Sequence, residues 1–288
     1  MNLIKVSLIN LLKHICHSFE QFAFLRRGGL THAAALLRIR ERYKIYRLAG
    51  SNVSSFRIGN FKVECLNPSS FMTLYDEIFL QDAYFFRAKT EKPRIVDCGV
   101  NIGLSVLYFK SLYPSCKIVG FEPHPVAFAA AENNILVNGL TDVELIQAAV
   151  SDYDGFSDLN FLSNEIMAST LTNRLHTRGC HVDATKVKTM SLKPWLHEHV
   201  DFLKLDIEGA EAGVLNDCQN LLCNVDNIFV EGHWTRGQEF NSAASIVGSL
   251  EKAGFNLLLI STETNRLTSF QPLRKAGPVS SFIVYGTR

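Results

Sequence analysis

The stretch RIVDCGVNIGLSVLYF, Arg94 to Phe109, runs from a short apolar strand into a glycine-spaced turn and then into a helix-like pattern. Apolar residues lead up to Asp97, and Gly99 and Gly103 bracket the turn. The turn reads G-V-N-I-G rather than G-x-G-x-x-G. A strand–turn–helix of this kind aims the free N–H groups of the helix start at whatever sits beyond the strand. Its departures from the dinucleotide pattern therefore bear on which ligand it holds.

Downstream, the same rhythm repeats. Strand KIVGF (117–121) leads to a helix over about 125–138, and strand VELIQAAV (143–150) follows. Then come VDFLKLD (200–206), a helix over about 210–222, NIFVEG (227–232), a helix over 239–253, NLLLI (256–260) and SFIVYG (281–286). Short apolar strands alternating with amphipathic helices predict an α/β fold with a doubly wound, mostly parallel, seven-stranded sheet. The last two strands, with no long helix between them, predict an antiparallel closing hairpin. Residues 151–199 form a long insertion with alternating pieces SDLNFL and VKTMSL, expected to build or cover a site.

Upstream, residues 1–27 carry apolar residues at helical spacing (Ile4, Leu8, Leu11, Ile15, Phe19, Phe22) together with Lys5, Lys13, Arg26 and Arg27. This predicts an amphipathic helix packed on protein, with contact to a membrane surface as the alternative. RRGGL (26–30) breaks it, and 31–48 reads as a second, basic helix. FRIGNFKVECL (56–66) is a hairpin signal around Gly59-Asn60, and the aromatic stretch 70–86 is expected to be helical in part. The organisation read from this is an N-terminal helical extension (1–55), an accessory hairpin and helix lobe (56–92) and a main domain (93–288).

Bulk composition narrows the class. The chain has 288 residues, 47% hydrophobic and 20% charged, with a net charge of +1, which gives no electrostatic push towards nucleic acid. The seven cysteines (Cys16, Cys65, Cys98, Cys116, Cys180, Cys218, Cys223) are odd in number and scattered, with no CxxC. Reduced thiols in a cytosolic compartment fit this usage better than a disulfide framework.

Open α/β sheets bind ligands beyond the carboxyl ends of their strands. The residues there are Asp97, Gly99, Asn101 and Gly103; Glu122-Pro123-His124; Ser151-Asp152; Asp206, Glu208, Gly209 and Glu211; and Glu231, Gly232 and His233. Glu122 follows Gly103 by 19 residues at the end of the second strand, the place for a carboxylate that binds both hydroxyls of a ribose. A dinucleotide pyrophosphate wants a third glycine and no acid in the turn. Here Asp97 stands in the path of a diphosphate and Asn101 replaces the second glycine. Such a turn suits a nucleoside that carries an ammonium and a sulfonium, as S-adenosylmethionine does.

In series, VDCGVNIGLS, GFEPHP, AAVSD and DFLKLDIEGAEAGVL resemble the successive motifs of FkbM-family methyltransferases, and SFMTLYDEIFLQDAYFF resembles that family's upstream segment. The resemblance covers roughly residues 56–285; residues 1–55 lie outside it, and Val100 stands where the family commonly has alanine. It implies a class I, Rossmann-like fold, S-adenosylmethionine as cofactor and, most often, O-methylation of a sugar, glycan or natural-product hydroxyl. Gly99, Asn101 and Gly103 would bring backbone against the methionine part. Asp97 would meet its amino group, Glu122 the ribose, and Asp152 with the backbone at Ala149 the adenine.

Methyl transfer to a hydroxyl needs positioning and gains from a base or a metal. Asp206, Glu208 and His233 are the catalytic candidates, with Lys204 at the same strand parity as Asp206 and so expected beneath it. Glu211 reads as an acid of a helix first turn, favoured by the dipole. Asp206, Glu208, Glu231 and His233 also form a possible divalent-metal set, left open by sequence. His197 and His199 of HEH precede the fourth strand on the opposite rim and read as surface, and WTRGQEF (234–240) is expected to shape the acceptor pocket. The NPP[YF]-type turn of many amino-directed methyltransferases is missing after the fourth strand, which favours oxygen as acceptor. The alternatives are an NAD(P)-dependent oxidoreductase, which Asp97 and the missing glycine oppose, and a non-catalytic binding protein on the same fold.

Overall fold

In the computed structural model of the protein, every residue of Val200–Leu205 is buried, the mark of a central strand covered on both faces. The structure describes residues 32–48, 55–162, 165–171, 182–235, 241–261 and 279–288. The predicted N-terminal helix (1–27), most of the WTRGQEF loop, Cys16 and Cys180 lie outside these. The chain divides into two units, Met1–Phe85 and Phe86–Arg288.

In the first unit, α1 (His32–Leu48) fulfils the basic helix, and β1 (Ser55–Ile58) pairs antiparallel with β2 (Phe61–Glu64) around Gly59-Asn60. Helix α2 (Pro68–Tyr75) widens into a π-helical turn over Asp76–Leu80, and Tyr75 stacks on Phe79. Arg42 pairs with Asp76 at 2.7 Å, and Glu41 accepts the Gly59 N–H at 2.6 Å, tying helix to hairpin turn.

The second unit carries the seven-stranded sheet. Its strands are β3 (Arg94–Cys98), β4 (Lys117–Phe121), β5 (Val143–Ile146), β10 (Val200–Leu205), β11 (Val225–Thr235), β12 (Asn256–Ser261) and β13 (Val279–Thr287). They lie in the order β12-β13-β11-β10-β3-β4-β5. All pairs from β11 to β5 are parallel, and β13 runs antiparallel to both β11 and β12. This is the doubly wound, mostly parallel seven-stranded sheet that the sequence predicts. On one face, α5 (Lys193–Leu196), α6 (Glu211–Asp217) and α7 (Ala243–Lys252) bury Leu196, Leu215, Ile246 and Leu250 with Val96, Leu203 and Leu205. On the other, Phe109 of α3 (Leu104–Leu112) and Phe86 pack on Phe202 at ring distances of 5.5 and 4.6 Å. Helix α4 (Pro125–Val137) follows β4. Chain order reverses between β3 and β10, so the crevice beyond their carboxyl ends is the switch point where such sheets bind ligands.

The expected third strand, 143–150, is a correction. Only Val143–Ile146 joins the main sheet; the Ala148 N–H folds back to the Ile146 carbonyl at 2.9 Å, and this tight turn ends the ladder. Ala149–Ser151 then becomes β6, the first strand of a second sheet, ordered β6-β9-β7-β8. That sheet is the insertion: β7 (Gly155–Leu162), β8 (Glu165–Thr170) and β9 (Val182–Ser191). The predicted helix over 210–222 is also shorter, closing at Asp217 before a 3-10 turn at Leu222–Asn224. Asn216, Asp217 and Asn220 favour turns over helix interior. Cys65, Cys98, Cys116 and Cys218 are buried free thiols and Cys223 an exposed one. Among the described residues no helix is long and apolar enough to cross a membrane.

Candidate active site

The turn after β3 is built by backbone bonds that few sequences satisfy. Gly99 and Val100 both donate to the Phe121 carbonyl at 2.9 Å, which folds the turn over the end of β4. Gly99 sits at φ +88°, and a Cβ there would be driven into the Asp206 carbonyl oxygen. Asn101, the next left-handed residue (φ +54°), is of a type that tolerates this region. Its N–H donates to Glu122 Oε2 at 2.8 Å. Buried Asn134 of α4 donates to the Ile102 carbonyl at 2.8 Å and fixes the turn from the far side, a pin that no sequence motif announces.

Asp97 and Lys204 are register partners on neighbouring strands, and both are fully buried. Lys204 Nζ lies 3.5 Å from Asp97 Oδ1 and 3.3 Å from Asp206 Oδ2, and donates to the Gly99 carbonyl at 2.9 Å. The lysine therefore underlies Asp206, as parity predicts. Burial would lower its pKa, but the charges of Asp206 and Asp97 outweigh burial and hold it above the ordinary lysine range. Burial pushes the Asp97 carboxyl up, against the pull of Lys204. Among the described residues neither Asp97 oxygen has a donor in good hydrogen-bond geometry, although the Lys204 ammonium and the Ser105 hydroxyl lie near enough to draw its pKa down.

Glu122 accepts the N–H of Asn101 on one oxygen and that of His124, at 2.9 Å, on the other. Burial nonetheless pushes its carboxyl up to about 7. His124 caps α4, its Nδ1 accepting the Val126 N–H, and packs edge-on against Phe161 of the insertion. Ala149 is buried in a small core with Leu159 and Val187, and Asp152 is exposed, accepting the Ser151 hydroxyl at 3.1 Å.

Past the end of β10 a second group converges on His233, which does not follow the fifth strand as expected but lies within it, because β11 runs on to Thr235 paired with β13. Its Nδ1 lies 3.1 Å from Glu211 Oε1; its Nε2 lies 3.4 Å from Glu208 Oε2 and 3.6 Å from Glu231 Oε1. Asp206, Glu208 and His233 each offer an atom, and those atoms all lie within 4.8 Å of one another. Glu208 is held at φ +58°, with its carbonyl accepting the buried Thr170 hydroxyl at 2.5 Å. The insertion thus reaches the rim of the crevice through β8. Glu211, which the sequence presents as a helix-terminal acid, is instead fully buried. Burial alone would raise its pKa, but the bond and charge of His233, the Gly209 N–H and the Asn241 amide bring it below the ordinary range. Asn241, fully buried, escapes sequence reading altogether. His199 lies at the start of β10, at the opposite end of the strands, 3.6 Å from Asp201 and 3.7 Å from Asp226.

So one crevice gathers two clusters: Asp97, Gly99, Lys204, Asp206 and the Asn101–Glu122 pair over β3 and β4, and Glu208, Glu211, Glu231 and His233 over β10 and β11. The first offers close backbone approach, a buried acid and a second carboxylate. The second offers an imidazole oriented by one acid and flanked by others, which is the equipment for taking a proton.

Comparison with known proteins agrees. A family model described as "Methyltransferase FkbM domain" matches residues 97–257. The methyltransferase sdnD of Sordaria araneosa is 31% identical over 172 residues, which cover 49% of this chain and 66% of that protein. Methyltransferase 1 of Beauveria bassiana is 27% identical over 63% of this chain and 80% of its own length. The 31-O-demethyl-FK506 methyltransferase FkbM of Streptomyces tacrolimicus is 31% identical over 48% of this chain and 50% of its own.

Proposed function

The chain belongs to the FkbM family of methyltransferases, and from that premise we propose that it moves the methyl group of S-adenosylmethionine to a hydroxyl oxygen of a sugar, glycan or natural product. The Streptomyces tacrolimicus relative is a 31-O-demethyl-FK506 methyltransferase, which supports oxygen as acceptor. The residues fit the cofactor. Asp97 offers buried carboxylate oxygens that, among the described residues, have no donor in good geometry, which suits an ammonium. Gly99 leaves no room for a side chain, and Glu122 offers its carboxylate to ribose hydroxyls. When bound, S-adenosylmethionine supplies the methyl carbon and leaves as a neutral thioether. Asp152 remains the candidate on the adenine side. Free thiols support a reducing, cytosolic compartment.

One observation carries the catalytic reading: His233 Nδ1 stands 3.1 Å from the buried Glu211 carboxylate while Nε2 faces the rim with Glu208. A hydroxyl is a weak nucleophile until its proton leaves, and a positioned base supplies about 10²–10⁴ in rate. His233 Nε2 takes that proton as the new C–O bond forms, and Glu208, Glu211 and Glu231 stabilise the imidazolium that results. Asp206, paired with Lys204, would border the methyl group of the bound cofactor. Incubation with methyl-labelled cofactor and a panel of hydroxylated sugars and natural products tests this. Label on oxygen, lost in His233→Gln, is the expected result; label on nitrogen or carbon would overturn it.

A second reading is supported by the grouping of Asp206, Glu208 and His233 within 4.8 Å. These residues would hold a divalent cation that lowers the pKa of the acceptor hydroxyl. Nε2 would then be a ligand rather than a base. Activity lost in chelator and restored by Mn²⁺ or Mg²⁺ favours the cation; activity unchanged in chelator favours the free imidazole.

A further inference from the structure

Thr170 ends β8, the edge strand of the insertion sheet, and is fully buried. It pairs with Asn160 of β7, and its hydroxyl donates to the Glu208 carbonyl at 2.5 Å. A carbonyl oxygen only accepts, so the hydroxyl proton is committed to this bond. The N–H of the same peptide unit, on Gly209, donates to Glu211 Oε1 at 2.9 Å. A peptide unit is planar, so Glu208–Gly209 is held at both ends, by the insertion and by α6. The residue so held is left-handed, at φ +58°, where a glutamate seldom sits. Strain of this kind persists only where the surroundings impose it, and it gathers at functional sites. Here it accompanies a carboxylate whose Oε2 stands 3.4 Å from His233 Nε2, grouped with Asp206.

We infer that Thr170 is a positioning residue for methyl transfer: through the Glu208 carbonyl it sets where the Glu208 carboxylate stands on the rim of the crevice. This rests on the reading of Glu208 as part of the methyl-transfer group. It holds whether that carboxylate faces an imidazolium or a divalent cation, since either needs it in one place. The insertion then does more than cover the crevice, because its edge strand ends on the backbone of an acid of the site. A purely structural Thr170 would cost stability on removal, and any loss of rate would not depend on which group stands at position 208.

The test is a double-mutant cycle read in structure, stability and rate. Thr170→Val removes the donor and keeps the branched shape. A crystal structure of that variant should show the Glu208 carboxylate moved away from His233, and Thr170→Ser, which keeps the hydroxyl, should leave it in place. Binding of S-adenosylhomocysteine checks that each variant is folded and should stay unchanged. Where Thr170→Val does not fold, Thr170→Cys, a weaker donor of similar size, takes its place in the cycle. With the acceptor labelled in the hydroxyl panel, Thr170→Val should lower kcat by about three- to tenfold, no more than the roughly tenfold loss in Glu208→Gln. Added to Glu208→Gln, Thr170→Val should leave kcat where Glu208→Gln put it, while lowering the unfolding midpoint as it does in the parent. Thr170→Ser should keep the parental kcat. A folded Thr170→Val with its carboxylate in the original place overturns the proposal, as does an equal loss of kcat with and without the Glu208 carboxylate. A parental kcat in Glu208→Gln would instead remove Glu208 from the reaction, and the proposal with it.

Discussion

Lys204 donates from its buried ammonium to the carbonyl oxygen of Gly99 at 2.9 Å. The cation of the central strand therefore holds the turn after β3 from below, while its charge is shared between Asp97 and Asp206. The cluster over β3 and β4 sets one buried cation among three acids, Asp97, Asp206 and Glu122.

That arrangement sets the first prediction. Lys204→Met keeps the length of the side chain and removes the charge, leaving Asp97 fully buried without compensation. Breaking a buried pair in this way costs about 3–5 kcal/mol. Urea unfolding of the ligand-free protein should show that loss, and Asp97→Asn added to Lys204→Met should recover part of it. A single variant within about 1 kcal/mol of the parent would mean that the pair contributes little.

Gly99 and Gly139 separate conformational cost from steric cost. Both sit at positive φ, +88° and +59°, but a Cβ on Gly139 meets nothing, whereas one on Gly99 meets the Asp206 backbone. Gly139→Ala should cost about 1–2 kcal/mol, the ordinary penalty of a left-handed alanine. Gly99→Ala must also push β3 from β10, and should cost about 2 kcal/mol more. Only Gly99→Ala should abolish S-adenosylhomocysteine binding by calorimetry. Equal effects of the two would show that the turn does not need its close approach to Asp206.

These residues also mark what sequence can and cannot convey. Asp97, Gly99 and Glu122 are legible because each stands at a fixed distance from a strand end, and strand ends are written in local apolar runs. Lys204 is legible from strand parity. The break at Ala148 is not, because VELIQAAV is one apolar run, and only the turn to Ile146 shows that it serves two sheets. Glu211 has the sequence position of a helix-dipole acid; its burial and its bond to His233 depend on β11 lying beside α6, a tertiary fact. Asn241 sits in a stretch without motif, and its partners lie on two other elements, Glu211 and Ala212 on α6 and His233 on β11.

Glu122 gives a pH dependence with a definite sign. Its folded carboxyl is pushed up to about 7 by burial, against an ordinary value of 4.5. Between these values the folded chain holds a proton that the unfolded chain has lost. The contribution of this group to stability is therefore highest below pH 4.5, declines as pH rises to about 7 and then levels off. Ribose hydroxyls donate to the ionised form, so binding of S-adenosylhomocysteine should tighten by up to about tenfold from pH 6 to pH 8. Glu122→Gln should flatten both trends relative to the parent. An affinity equally flat in the parent would count against Glu122 as the ribose partner.

Glu208 is a longer side chain than its backbone calls for. It holds φ +58°, a region where a non-glycine residue other than Asn or Asp is strained, and the Thr170 hydroxyl holds its carbonyl there. The return for that strain is a carboxylate 3.4 Å from His233 Nε2. Asn favours the same backbone region but is one methylene shorter and uncharged. Glu208→Asn should therefore stabilise the fold by roughly 0.5–1 kcal/mol. The same change should lower kcat by about tenfold, a fraction of what the assembled base provides. Guanidinium unfolding and single-turnover methylation, measured on one preparation, check the two together. A variant that loses stability as well as rate would place the carboxylate, rather than the backbone, as the source of what Glu208 contributes to the fold.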